Sequence, residues 1–120
     1  MTQQSQENRP TKKNTEQFEM IFPILNSVFN EIKELSKKKQ DGALNEVKVK
    51  MTNRILQKTK EILKNDPTTE FLDLLDEEVF PTNSDAVLVI AQFKAAMEQY
   101  RSKYYTYSKS AHCHIWRTID

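Results

Sequence analysis

The chain has 120 residues, of which 38% are hydrophobic and 29% are charged, with a formal net charge of +1. This length suits one domain that buries about two thirds of the surface of its unfolded chain. The single Gly excludes glycine-rich phosphate-binding loops and argues against glycine-consuming β and α/β folds. The single Cys excludes an intramolecular disulfide and favours a reducing, cytoplasmic setting. Because no apolar run approaches about 18 residues, we expect no membrane span.

Charge is distributed unevenly along the chain. Residues 1–64 hold 13 Lys and Arg against 8 Asp and Glu, whereas residues 65–93 hold 7 acidic residues and no basic one. Residues 94–120 are basic again, with 5 Lys and Arg against 2 acidic residues. Such segregation steers partners, or it pairs the acidic middle with its own basic neighbours; both interpretations stay open.

The apolar spacing predicts an all-α fold. We expect a disordered polar tail over residues 1–13 and a single helical domain over residues 14–120. The first helix is predicted over 15–39, where apolar residues recur about three times in seven positions. Pro23 lies inside that range and either kinks the helix or precedes its start.

A second helix is predicted over 43–64, and its apolar residues fall on two faces. Val47, Met51 and Ile55 belong to the main apolar stripe, whereas Val49 and Leu56 lie off it. We therefore expect this helix to contact neighbours on two sides. Every fourth position also carries a cation, which forms a basic ridge of Lys50, Arg54 and Lys58.

A short helix is predicted over 68–79, after a break at which Asp66 caps the helix and Pro67 occupies its first turn. Three carboxylates share one face of this predicted helix: Glu70, Asp73 and Glu77. We interpret this face as solvated, or as docked on the basic ridge within the chain or in a partner. The spacing of known calcium loops and of di-iron bundles is missing.

The last helix is predicted over 85–117, where the longest periodic apolar stripe runs from Ala86 to Ile115 and includes Tyr100, Tyr104 and Tyr107. The domain is thus expected to be a small bundle of three long helices and one short helix. At about 1.5 Å per residue the last helix outruns its neighbours, which leaves the apolar end of its stripe uncovered.

His112, Cys113 and His114 stand together, but this triplet does not predict a metal site. On a helix, residues two apart point about 200° away from each other, so the two histidines would not share an ion. Zinc sites need three or four convergent ligands, and the chain holds no other His or Cys. We expect no metal, no cofactor and no catalytic cysteine.

A second stripe beside the apolar one mixes cations and aromatic rings. We take it as the candidate interface, which comprises Arg101, Lys103, Tyr105, Lys109, His112 and Trp116. Such a composition is typical of nucleic-acid binding, in which cations contact phosphates and rings stack on bases. Tyr, Trp and Arg are equally the residues that contribute most to protein interfaces. The sequence favours a non-enzymatic protein-interaction module, adaptor or small structural subunit, with a protein partner or a second copy. The alternative is a nucleic-acid-binding protein that uses both this stripe of the last helix and the basic ridge of the second helix. We expect neither membrane binding nor a small-molecule substrate.

Overall fold

The computed structural model describes residues 8–120. Three long helices dominate it, as predicted: α1 (Lys12–Lys38), α2 (Glu46–Ile62) and α3 (Asn83–Tyr104). A 3-10 helix (Pro67–Phe71) follows α2, and two strands, β1 (Tyr105–Ser108) and β2 (Cys113–Trp116), follow α3. The molecule is elongated, with principal extents of 50 × 26 × 22 Å.

Helix α1 begins earlier than predicted, because Thr11 caps it. The Thr11 hydroxyl accepts the Asn14 N–H, and the Asn14 side chain accepts the Thr11 N–H in return, which forms a capping box. Residues 1–7 of the predicted polar tail lie outside the described residues. Of its remainder, Lys12 and Lys13 belong to α1, and Pro10 is buried, with its carbonyl accepting the Ile119 N–H at 2.9 Å. Helix α1 continues through Pro23, whose side chain is exposed.

The core lies where α1 packs against α2 on one side and against α3 on the other. Phe18, Leu25, Leu56, Ile90 and Phe93 are almost completely buried there. Burying a large apolar side chain of this kind stabilises the fold by about 1.5–3 kcal/mol. The three helices therefore form the predicted bundle around one apolar core.

The loop between α1 and α2 is hydrogen-bonded to the start of α3. Asn83 donates from its side chain to the Lys39 carbonyl at 2.9 Å and from its backbone to the Gly42 carbonyl at 2.8 Å. A Cβ on Gly42 would lie 3.3 Å from the Asn83 side-chain nitrogen, so the glycine permits this close approach. These bonds fix the α1–α2 connection to the N-terminal end of α3.

The short helix predicted over 68–79 is wrong beyond Phe71. Only Pro67–Phe71 turns, as a 3-10 helix that is capped by Asp66 and closed by the bond from the Leu72 N–H to the Thr69 carbonyl, and residues 73–75 run without helical hydrogen bonds. On a helix Asp73 would lie one turn from both Asp76 and Glu77, and like charges at this spacing disfavour a helix, as does the low helix propensity of Asp. Side chains also compete for the backbone here, because Asn53 pairs with Leu75 and Asp76 accepts the N–H groups of the residues after it. We name residues 70–79 the acidic strap.

The last helix predicted over 85–117 is wrong in its second half. Helix α3 ends at Tyr104, and the chain forms an antiparallel hairpin in which Tyr105 pairs with Trp116 and Tyr107 with His114. Aromatic residues at alternate positions favour a strand, and the pairing places them on one face. The turn is closed by His112, whose φ is +57°. Trp116 can then return to Tyr105, whereas a continuous helix would carry it about 16 Å away.

Candidate functional site

An open depression lies on the surface of α1 and α2. It has a volume of about 920 Å³ and is lined by both helices and by the acidic strap. Apolar side chains that face it remain largely in water: Met20, Ile24, Val47, Met51 and Leu74. Single exposed apolar residues are ordinary, but several that line one concave surface mark a binding site.

Helix α2 explains why this apolar surface is left open. The residues that lie off its predicted stripe, Val49 and Leu56, are the ones buried in the core at 0% exposure. The stripe residues Val47 and Met51 instead point outward and are 66% and 61% exposed. Helix α2 therefore packs Val49 and Leu56 in the core and Ile55 of the predicted stripe against it, whereas Val47 and Met51 of that stripe stay exposed.

The basic ridge lies on the outer face of α2, where Lys50, Arg54 and Lys58 all line the depression. Lys50 pairs with Glu46 at 3.0 Å, and this bond raises the pKa of the lysine. Lys58 contacts Glu61 at 3.8 Å. Arg54 has no ion-pair partner within residues 8–120. Exposed pairs of this kind contribute little stability and leave the cations available to a partner.

The acidic strap runs beside α2, and its predicted acidic face is not a helical face. Glu70 lies in the 3-10 helix, Asp73 is exposed in the extended part, and Glu77 accepts the Asn53 side chain at 2.9 Å. Glu77 lines the same depression as the basic ridge. Glu77 thus lies beside the basic ridge without an ion pair to it, and neither Glu70 nor Asp73 has an ion pair among the residues described. Docking of the acidic face on the ridge stays a prediction.

The interface stripe predicted for the last helix is divided by the structure. Arg101 lies over the Phe22 ring, 5.3 Å from its centre, and Lys103 donates to the buried carboxylate of Asp66 at 3.1 Å. Lys109 and His112 lie in the hairpin turn. These four residues do not form one surface, because the helix that would have aligned them ends before Tyr105.

The hairpin instead gathers aromatic rings on one face. Tyr105 stacks on His114 at 5.5 Å and contacts Trp116 at 5.2 Å, and Tyr107 meets His114 edge-on at 5.6 Å. Tyr107, which the sequence placed on the apolar stripe of the last helix, is 53% exposed. The outer part of this face is open to solvent.

Trp116 joins the hairpin to the bundle. Its ring packs edge-on against Phe18 at 4.9 Å, and its indole N–H donates to the Glu19 carboxylate at 3.1 Å. Tyr100 lies nearby, 6.4 Å away between ring centres, and burial raises the pKa of this phenol. Trp116 therefore packs against the core, and its role in the predicted interface stays a prediction.

The His112–Cys113–His114 triplet does not converge on one point. His114 faces Tyr105 and Tyr107, while His112 occupies the turn and Cys113 is an exposed free thiol. Among residues 8–120, no group of three His, Cys, Asp or Glu side chains is placed to hold a metal ion. No helix in this range is long and apolar enough to cross a membrane.

Sequence reasoning missed the residues of α1 that line the depression. Met20 and Ile24 belong to the predicted first helix, but they are exposed on a different side of it from the buried Phe18 and Phe22. Their signal is the four-residue step from Met20 through Ile24 to Val28, which matches the step from Val47 through Met51 to Ile55 on α2.

The chain was compared with protein-family models, with curated proteins and with solved structures, and none of them matches it.

Proposed function

We propose that this protein is a non-enzymatic interaction module that binds a protein partner in the depression formed by α1 and α2. The observation that carries the proposal is the second apolar face of α2. Val47 and Met51 are exposed beside Met20 and Ile24 of α1, and together they line one concave surface. Covering such a surface removes apolar area from water, which is the main source of affinity in protein association.

The shape of the depression favours a segment with apolar side chains at helical or alternating spacing. Two apolar rows border it, with a four-residue step on each helix, and this arrangement accepts anchors in the manner of a helix laid in a groove. The edge supplied by α2 is basic, through Lys48, Lys50, Arg54 and Lys58, whereas Glu31 and Glu77 are the acids that line it within the described chain. The favoured segment is therefore apolar with acidic flanks.

A capture experiment with matched surface variants tests the proposal. The full chain is immobilised as wild type, as M51E and as L88E, and incubated with extract of the cells that produce it. Met51 and Leu88 are both exposed, at 61% and 64%, but only Met51 lines the depression. We expect proteins that bind wild type and L88E to be lost with M51E. Equal binding by all three would contradict the proposal.

Nucleic-acid binding through the hairpin is the second candidate, and it is favoured by the exposed rings of Tyr105, Tyr107 and His114 on one face. Rings of this kind stack on unpaired bases, and Lys109 in the adjacent turn is exposed to phosphates. A fluorescence titration with a single-stranded oligonucleotide separates the two functions. Binding that weakens steeply with salt and fails in Y107A would support this candidate.

A further inference from the structure

We propose that the acidic strap of a second copy of this chain docks on the basic ridge and depression of the first, so that the protein forms a two-fold dimer. This inference rests on the proposed function and names its partner. It follows from two neighbouring surfaces of the same molecule that have opposite charge and that each expose apolar anchors.

The acidic strap has the composition that the depression favours. Its apolar residues Phe71 and Val79 are 70% and 74% exposed, the highest values among the large apolar residues described. They are flanked by carboxylates at Glu70, Asp73, Asp76, Glu77 and Glu78. Residues 65–93 as a whole contain 7 acidic residues and no Lys or Arg. The strap therefore has no positive charge that would repel a basic surface.

The surface on which the strap would dock, the basic ridge and the depression, has the opposite charge to the strap and also exposes apolar side chains. On the outer face of α2, Arg54 and Lys58 line the same depression as Val47 and Met51. Docking would bring carboxylates to the guanidinium of Arg54, which is the side chain best suited to bind them bidentately. The apolar residues of each surface would cover those of the other.

The placement of the two surfaces permits a closed dimer. The strap is held alongside α2 by the bonds between Asn53 and Leu75, so the acidic and basic surfaces lie side by side on one molecule. A two-fold axis along the boundary between them brings each basic ridge onto the strap of the other copy. Each subunit then contributes the same patch, its strap and its basic ridge, to the interface, as an isologous dimer requires.

The strap is also pre-organised for docking. Asp76 accepts the backbone N–H groups of Glu78 and Val79 at 2.8 and 3.0 Å, and Asn53 holds both backbone groups of Leu75. A partner therefore meets a fixed segment, and little conformational entropy is lost when it binds.

Sedimentation equilibrium with charge-reversed variants tests the dimer. The purified full chain is measured from about 1 to about 500 µM, because the fraction of dimer depends on concentration. We expect wild type to dimerise more weakly at about 0.5 M salt, where surface charges are screened. R54E and D73K should each weaken the dimer by about tenfold or more, since each creates like-charge contacts.

Mixing the two variants gives the sharpest result. In a dimer of R54E with D73K, the introduced glutamate would face the introduced lysine at one contact. At the other contact the native Arg54 would face the native Asp73, so affinity should return to that of wild type. The variant K38E, which reverses an exposed charge at the end of α1, serves as the control and should leave affinity unchanged.

Two outcomes would overturn the dimer. One is a wild-type chain that stays monomeric up to the highest concentration, and the other is a dimer whose affinity neither R54E nor D73K changes. In either case the capture experiment with M51E and L88E still shows whether a protein other than this chain binds in the depression. Failure of the dimer and failure of the proposed function are thus distinguishable.

Discussion

Asn53 and Leu75 are paired through both backbone groups of the leucine: the Asn53 amide nitrogen donates to the Leu75 carbonyl at 2.8 Å, and its oxygen accepts the Leu75 N–H at 2.9 Å. The amide of this buried helical residue thus makes the same pair of hydrogen bonds to Leu75 that a neighbouring β-strand would make. These two bonds attach the acidic strap to α2. The strap has no helical bonds of its own over residues 73–75, so this pair helps to hold it on α2, together with the buried side chains of Leu72 and Leu75.

Replacing Asn53 by Leu should destabilise the fold by about 2–3 kcal/mol, because it leaves the N–H and carbonyl of Leu75 without partners in a buried position. Urea unfolding measures this loss, and hydrogen exchange at the Leu75 amide should accelerate with it. The control Q57L changes an exposed residue of the same helix and should stay within about 0.5 kcal/mol of wild type. Equal stability of N53L and Q57L would show that the strap is held by other contacts.

Asp66 should be more important for stability than Lys103. Its carboxylate is 2% exposed, accepts the Thr68 N–H at 3.1 Å and binds the lysine at 3.1 Å, whereas the Lys103 side chain is 39% exposed. We expect D66A to cost about 2 kcal/mol through loss of the cap and the ion pair, and K103M to cost less because Thr68 still donates. Thermal unfolding of both variants and of the double variant tests this order. A K103M variant less stable than D66A would reverse it.

His112 should be replaceable by Gly with a gain in stability. Its φ of +57° lies in the left-handed region, which costs a residue with a Cβ about 1 kcal/mol more than glycine. The melting temperature of H112G should therefore rise. The neighbouring turn variant A111G has no positive φ to relieve and should give no gain. A lower melting temperature for H112G than for wild type would contradict this account of the turn.

Acid should loosen the strap through Asp76. Hydrogen bonds from the backbone N–H groups of Val79 and Glu78 lower the pKa of this carboxylate in the folded state. A lowered folded pKa gives stability that is present above the unfolded value of about 3.9 and is lost as pH falls through the folded value. The stability difference between wild type and D76N should thus be largest near neutral pH and shrink in acid.

The matched variant D73N removes a strap carboxylate without removing those backbone bonds. Its unfolding curves, measured by urea titration at a series of pH values, should lack the pH-dependent difference expected for D76N. If both variants follow wild type at every pH, the Asp76 turn contributes nothing to the strap.

The helices α1 and α2 could be predicted from the sequence because their apolar residues repeat at helical spacing over many turns. The hairpin could not be predicted in this way, because the tyrosines fit two patterns. Tyr100, Tyr104 and Tyr107 have helical spacing, whereas Tyr105 and Tyr107 have the alternate spacing of a strand. What decides between them is the return of Trp116 to Phe18 and Tyr105, a contact between residues far apart in the chain.

The candidate site was predictable only in part, for a related reason. The basic ridge of α2 and the acidity of residues 65–93 are visible in the sequence, and both border the depression. Which apolar face of α2 stays in water is not visible, because Val49 and Met51 have similar hydrophobicity. Packing in the bundle selects Val49 for the core and leaves Met51 outside.

The measurement that tests the central claim most directly is photo-crosslinking from inside the depression in living cells. A photoreactive amino acid replaces Met51 in one version of the full chain and Leu88 in another, since both positions are exposed and only the first lines the depression. Illumination followed by mass spectrometry identifies what each position touches. Only adducts that join two chains, and are therefore heavier than the monomer, count as binding, because the strap of the same chain also lines the depression. We predict abundant adducts of this kind at position 51 and few at position 88. Adducts no more abundant at position 51 than at position 88 would contradict the claim that a protein binds there.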